Sequence, residues 1–176
     1  MSGPFRRVVN VRTLPRKGRE ERHVADDAER RAIADHLDVV SVESAAFEAK
    51  VVPWKRDGVR IEGRLAADLT QACVVSLEPV AASIDEPFEA ILVPEGSKLA
   101  APRQTDAEML LDAEGEDPPE TFEGDTIDLA DVWLEFLALA IDPFPRKPDA
   151  ELPGEAEEGN PSPFAALAAL KPANDR

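Results

Sequence analysis

The dipeptide Asp57-Gly58 separates two stretches in which apolar residues alternate, and it constrains the fold of this chain more than any other feature. Asp-Gly is a strong signal for a two-residue β-hairpin turn, because both residues adopt the backbone angles that this turn needs. Apolar side chains alternate before it along residues 39–54, and the alternation resumes along residues 59–65. The sequence therefore predicts a long antiparallel hairpin.

Segments on both sides of the hairpin also carry local structural signals. Residues 5–11 and 81–93 alternate like strands, and Pro87 confines the second one to a sheet edge or a bulge, because proline donates no backbone hydrogen bond. Residues 16–21 are polar and contain a glycine, which predicts a loop. Residues 26–37 combine an apolar face with acidic residues in the first turn, which predicts a helix.

The clearest helical pattern covers residues 128–141, where Asp128 is the predicted N-cap and Trp133 is expected to anchor the helix in the core. Its apolar face is formed by Leu129, Val132, Trp133, Phe136, Leu137 and Ala140. We therefore predict an α+β fold. In it, an antiparallel β-sheet built on the long hairpin is covered by this main C-terminal helix and by a shorter N-terminal helix.

The composition predicts one folded domain followed by a tail. Residues 1–145 are expected to form a single α+β domain with an acidic loop at 106–125, and the acidic, Pro- and Gly-rich residues 146–161 a linker. A short helix is predicted at 162–171, too short to be stable alone in water. Its apolar stripe, the candidate partner-docking surface, consists of Phe164, Leu167 and Leu170. The simplest expectation is that this helix docks on its own domain; docking on another copy of the chain or on a partner are the alternatives.

Charge is distributed unevenly along a chain whose net charge is −16. Residues 1–31 carry nine Arg or Lys and five Asp or Glu, whereas residues 104–176 carry four and nineteen. Because acidic segments repel a nucleic-acid backbone, RNA contact is expected either at the basic N-terminal residues or at scattered cations of the hairpin. The N-terminal candidates are Arg6, Arg7, Arg12, Arg16 and Lys17, and the scattered ones are Lys50, Lys55, Arg56, Arg60 and Arg64. A basic protein is a natural partner of the acidic half; the alternative is that the acidic excess only keeps the protein soluble and selects no partner. Lys55, Arg56 and Arg60 near the hairpin tip are expected mainly to interact with solvent.

No pattern of residues indicates catalysis or cofactor binding. The single cysteine, Cys73, cannot form an internal disulfide, and neither His23 nor His36 is spaced with it as metal ligands are. We expect no metal, no cofactor and no enzymatic activity. The sequence has no recognisable signal peptide and no apolar run long enough to cross a bilayer. We therefore expect a cytoplasmic protein that does not enter the membrane. The sequence leaves its oligomeric state open.

The order of these features resembles the YceD family, the large ribosomal RNA subunit accumulation proteins. The run from Cys73 to Pro79 is similar to the family's Cys-x-Arg-Cys-Leu-x-Pro motif, and Asp128-Leu129 is similar to the Asp-Leu start of its last helix. The residues that match are Cys73, Leu77, Glu78, Pro79, Asp128 and Leu129. The resemblance spans residues 5–145.

Departures from the family pattern limit what the resemblance implies. Val75 replaces the motif arginine, Ser76 replaces the second cysteine, and the region of Lys147 lacks a further cysteine that is frequent in the family. A zinc or redox role is therefore not expected, and Cys73 is expected to be a small buried residue. The resemblance implies a bacterial protein of the Cys-poor branch.

By resemblance, the expected function is non-enzymatic: a factor in the accumulation or assembly of large-subunit ribosomal RNA that binds a basic ribosomal protein or the rRNA itself. The alternative is a protein-protein adaptor unrelated to ribosomes, with residues 162–171 as its docking helix.

Overall fold

The computed structural model describes residues 3–100 and 119–150. Two helices and seven strands lie within these ranges: β1 Val8–Asn10, β2 Arg19–Val24, α1 Asp27–Leu37, β3 Ser41–Trp54, β4 Gly58–Ala72, β5 Pro79–Pro94, β6 Glu120–Phe122, β7 Thr126–Asp128 and α2 Leu129–Ala140. A 3-10 turn, Val11–Thr13, follows β1. The main sheet has the order β2-β3-β4-β5-β6, and β1 pairs with β7 in a separate ladder. The predicted α+β class is confirmed.

The long hairpin is formed by β3 and β4, which pair from Ser41 with Thr70 to Trp54 with Gly58. Its connection has three residues, 55–57, so the prediction of a two-residue turn at Asp57-Gly58 is wrong. Lys55 takes the positive φ of 50°. Gly58 is required for a different reason: a Cβ there would lie 3.0 Å from both the Trp54 ring and the Leu92 carbonyl oxygen.

The edges of the sheet depart from the sequence predictions. Strand β2 begins at Arg19, inside residues 16–21 that were predicted as a loop; its polar sequence misled the prediction because most of this edge strand faces solvent. Strand β5 covers residues 81–93 as predicted, and Pro87 lies where β5 has a neighbour on one side only. Strand β6 pairs parallel to β5, so the sheet is not purely antiparallel.

Both helices contribute to one core on the face of the main sheet that we call the inner face. Trp133 on α2 is 1 % exposed, and its ring centroid lies 5.7 Å from that of Phe5 and 5.7 Å from that of Phe47 on β3. Trp133 is thus a core residue, as expected. The opposite, outer face of the sheet carries exposed charged side chains, which alternate with the buried ones along β3 and β4.

Several predicted segments lie outside the described residues. They are residues 106–118 of the acidic loop, the linker beyond residue 150, and the tail helix at 162–171 with Phe164, Leu167 and Leu170. The remainder of the predicted loop includes strand β6 and the turn that leads into β7. No helix in ranges 3–100 and 119–150 is long and apolar enough to cross a membrane.

Candidate functional site

The family-like motif forms a tight loop, residues 73–78, which we call the cysteine loop; it joins β4 to β5. The Cys73 amide donates to the Glu78 carbonyl at 2.8 Å, and the Leu77 amide donates to the Cys73 carbonyl at 2.9 Å. Leu77 has a positive φ of 59° and is 78 % exposed. Pro79 then begins β5. The loop is therefore closed by its own backbone, with one residue strained.

The cysteine loop is held against the segment that follows α2. Among the hydrogen bonds that make this connection are Val74 N to Pro145 O at 2.9 Å, Lys147 Nζ to Glu78 Oε2 at 2.8 Å, and, from the end of β4, Gln71 Nε2 to Asp142 O at 2.8 Å. A cleft of about 360 Å³ between the loop and this segment is lined mainly by polar side chains, Ser76, Glu78, Lys147 and Asp149 among them. Residues about 70 positions apart thus form one unit.

The Cys73 thiol lies fully buried inside this unit and is surrounded by hydrogen-bond donors. The Ser76 hydroxyl, the Lys147 amide and the Ser76 amide, the last at 3.5 Å, lower the pKa of Cys73 to about 6. Such donors stabilise the thiolate form. Ser76, which stands in place of the motif's second cysteine, thus supports the remaining one by hydrogen bonding.

A zinc ion does not fit this arrangement. Zinc requires about four ligands, but three of the four groups directed at the Cys73 sulfur are backbone amides, those of Val75, Ser76 and Lys147, which cannot ligate a metal. Within the described part of the chain, no group of three or more His, Cys, Asp or Glu side chains is arranged to hold a metal ion.

Asp128 of the family-like motif anchors the N-terminal segment to α2. Its Oδ1 accepts hydrogen bonds from the Arg7 amide at 2.7 Å and from the Ala130 amide at 3.1 Å, and its Oδ2 accepts one from Arg6 Nε at 3.1 Å. Leu129 is 2 % exposed in the core. These motif residues therefore hold the fold together at the point where β1, β7 and α2 meet.

Three of the five N-terminal candidate RNA contacts are bonded within the fold. Arg6 pairs with Asp128, Arg12 pairs with Asp125 at 3.2 Å, and Arg7 Nε donates to His23 Nδ1 at 3.1 Å. The other ring nitrogen of His23 lies 2.9 Å from Glu29 Oε2. This cluster of Arg7, His23 and Glu29 joins the segment before β1 to β2 and α1. It could not be predicted, because no spacing rule relates these positions in the sequence.

The other two candidates, Arg16 and Lys17, lie in an exposed turn. The turn is closed by a 2.8 Å hydrogen bond from the Gly18 amide to the Pro15 carbonyl, and Gly18 has a positive φ of 79°. A Cβ at Gly18 would collide with the Val52 side chain, so the turn lies directly against β3 near the hairpin tip. Neither Arg16 nor Lys17 forms an ion pair with a described residue.

Three loops meet at this end of the sheet, which we call the tip end: residues 15–18, 55–57 and 95–98. Ser97 connects two of them, because its hydroxyl donates to Asp57 Oδ1 at 3.2 Å. The three loops contain five basic residues, Arg16, Lys17, Lys55, Arg56 and Lys98, and two acidic residues, Asp57 and Glu95. Sequence reasoning placed Lys55 and Arg56 at the tip, but it had no signal for the convergence of the other two loops.

Arg60, which the sequence also placed near the tip, differs from these cations. It pairs with Glu62 and Glu89, both at 2.9 Å, and these carboxylates raise the pKa of Arg60. Lys55 instead places its Nζ 3.9 Å from the centroid of the Trp54 ring. The tip end thus combines cations that have no carboxylate partner among the described residues with one aromatic ring.

Comparison with known proteins agrees with the family-like motifs. A family model described as "Large ribosomal RNA subunit accumulation protein YceD" matches residues 61–171. The match includes most of β4, the cysteine loop, β5 and α2, and it continues past the described residues. It does not include residues 5–60, where the first part of the resemblance lay. No curated protein and no solved structure matches the chain significantly.

Proposed function

The chain belongs to the YceD family, whose model matches more than half of its residues, and on this basis we propose that it is a non-enzymatic factor that contacts large-subunit ribosomal RNA. The family's description connects it with the accumulation of that RNA. The contact proposed here is made by Arg16 and Lys17, at the tip end of the sheet.

The observation that carries this proposal is the unequal pairing of the basic residues. Binding to a phosphate backbone requires cations that can replace its counterions. Arg6, Arg7 and Arg12 are bonded within the fold, whereas Arg16 and Lys17 are exposed and have no ion pair within the described residues. With a net charge of −16, the rest of the chain disfavours contact of RNA elsewhere on the protein.

A basic ribosomal protein is the second candidate partner. Residues 104–176 carry nineteen acidic and four basic residues, a charge that attracts a cationic protein. In this mechanism the acidic half holds the ribosomal protein, and the cations of the tip end take no part. The two mechanisms therefore differ in which charges they require.

Charge reversal separates the two mechanisms. The double variant Arg16→Glu/Lys17→Glu is compared with Arg31→Glu/Arg146→Glu, which changes the net charge equally but alters exposed residues away from the tip end. In a filter-binding assay with a large-subunit rRNA fragment, we expect the first variant to lose binding and the second to retain it. The plot of log K against log salt is expected to become shallower by about 0.7 for each phosphate contact removed.

Equal RNA binding by the two variants would contradict the proposed contact. A pull-down from lysate, with and without nuclease, completes the test. Ribosomal proteins that remain bound after nuclease treatment, and that Arg16→Glu/Lys17→Glu still captures, would favour the acidic half as the binding surface.

A further inference from the structure

Trp54 lies on the outer face of the sheet, opposite to the helices. Side chains alternate along β3, so Trp54 shares a face with the exposed Glu48 and Lys50, whereas Phe47 and Val51 point into the core. Trp54 is half-buried, unlike Trp133, which is 1 % exposed. Packing in the core therefore does not explain why position 54 holds an aromatic residue.

The backbone beneath the ring is shaped to receive it. Trp54 pairs with Gly58, and a Cβ on Gly58 would lie 3.0 Å from the Trp54 ring and 3.1 Å from Val93 on the next strand. The glycine thus lets the indole lie close to the sheet. Lys55, held at a positive φ of 50°, places its ammonium 3.9 Å from the ring centroid.

We propose that Trp54 is a stacking platform for a base of single-stranded RNA. The flanking phosphates would contact the cations of the tip end, which are Arg16, Lys17, Lys55, Arg56 and Lys98. This inference rests on the proposed function and adds to it the strandedness of the RNA and the residue that recognises a base. An aromatic side chain on a sheet face beside basic residues is a recurring arrangement for binding single strands.

The side chain that now covers the ring is one that RNA can displace. The Lys55 side chain is exposed and long. Its ammonium group can therefore leave the Trp54 ring and bind an RNA phosphate, while a base stacks on the indole in its place. Base stacking on an aromatic side chain exceeds an exposed cation–π contact in strength. A duplex cannot make the same contact, because its bases are already stacked on each other.

Charge complementarity favours a polyanion over a protein as the occupant. The three loops of the tip end carry five cations and two carboxylates in a chain whose net charge is −16. On the same outer face, farther from the tip, Arg64 pairs with Asp85, and Arg22 pairs with Glu48. The three loops at the tip end therefore carry cations that have no carboxylate partner among the described residues, whereas Arg22 and Arg64, farther along the sheet, are paired.

The experiment is a fluorescence titration of the full chain with single-stranded oligoadenylate and with an A·U duplex of equal length. We expect the single strand to quench the emission of Trp54, with buried Trp133 as a constant background, and to bind more tightly than the duplex. Trp54→Ala is expected to weaken single-strand binding about tenfold or more, whereas Trp54→Phe retains most of it. The control is Val24→Ala, which changes an exposed apolar residue at the other end of the same face.

The possible failures of this inference are distinguishable from those of the proposed function. If Trp54→Ala and Trp54→Phe bind the single strand like the wild type, but Arg16→Glu/Lys17→Glu does not, the stacking inference is overturned and the proposed RNA contact stands. A duplex bound as tightly as the single strand also overturns it. If the wild type binds neither RNA but captures a ribosomal protein, both proposals fail. Should Trp54→Ala not fold, the quenching of the wild type by the single strand and its preference for the single strand over the duplex decide.

Discussion

The loops at the two ends of β4 contrast sharply in how their polar groups are bonded. The cysteine loop, residues 73–78, is bonded to itself and to the segment after α2, and its thiol is fully buried. The connection at the other end, residues 55–57, carries exposed cations instead. Each loop has one non-glycine residue with positive φ, Leu77 or Lys55. Backbone strain alone therefore does not distinguish a structural loop from a binding loop; the partners of the side chains do.

Among the substitutions considered, Cys73→Ala is expected to lower the free energy of unfolding most. The change leaves the Ser76 hydroxyl and the Lys147 amide without their buried acceptor, so the free energy of unfolding should fall by about 2 kcal/mol. Urea denaturation measures it. Val74→Ala, at a neighbouring position that is 52 % exposed, is the control and should cost much less. Equal losses in the two variants would show that the loop is not organised around the thiol.

The same thiol predicts a dependence of stability on pH. Folding lowers the pKa of Cys73 from 9.0 to about 6, so between these values the unfolded chain binds more protons than the folded one. The contribution of Cys73 to stability is therefore fully present above pH 9, and it is lost as the pH falls through 6. We expect the difference in unfolding free energy between wild type and Cys73→Ala to grow from pH 6 to pH 9. A constant difference would contradict this.

Glycine substitutions at the positive-φ residues of the two loops, Leu77 and Lys55, should change stability by smaller and different amounts. Leu77→Gly removes the strain of a positive φ at an exposed position and is expected to stabilise the protein by about 0.5 kcal/mol, after the greater flexibility of the unfolded chain is subtracted. Lys55→Gly removes similar strain but also the contact with Trp54, so its net effect should be close to zero. Thermal unfolding of both variants tests the difference. If Lys55→Gly stabilised the protein more than Leu77→Gly does, the contact between the Lys55 ammonium and the Trp54 ring would contribute nothing to stability.

The smallest change in stability is expected from Lys147→Met. The ion pair of Lys147 with Glu78 is largely exposed to solvent, so its loss should change the free energy of unfolding very little. Because Lys147 lowers the pKa of Glu78, that pKa should rise in the variant, and an NMR titration can follow it. Lys147→Arg is the control that keeps the charge. An unchanged pKa of Glu78 in Lys147→Met would show that the pair does not form in solution.

Local patterns predicted the elements that bury a full apolar face. The hairpin of β3 and β4 and the helix with Trp133 have alternating or helical apolar spacing, and both are present. Strand β2 was missed because only His23 and, in part, Glu21 are shielded from solvent in it. The hairpin turn was predicted at residues 57–58 instead of 55–57, because Gly58 is required by its contact with Trp54 rather than by its own backbone angles.

The candidate site was predictable only in part, for a related reason. Sequence charge identified five N-terminal cations as equivalent, yet Arg6 and Arg12 pair with carboxylates more than a hundred positions away. No local pattern separates these from Arg16 and Lys17. The distinction depends on which acidic residues the fold brings near.

The sequence by itself determined the α+β class, the long hairpin, the main helix and the family to which the chain belongs, because each depends on residues close together in the chain or on a short motif. Only the tertiary structure decided which cations are neutralised, that three separate loops converge at the tip end of the sheet, and that Ser76 and Lys147 support the Cys73 thiol. These contacts join distant residues, and their strength depends on the distance and burial of the partners, which no short stretch of sequence specifies.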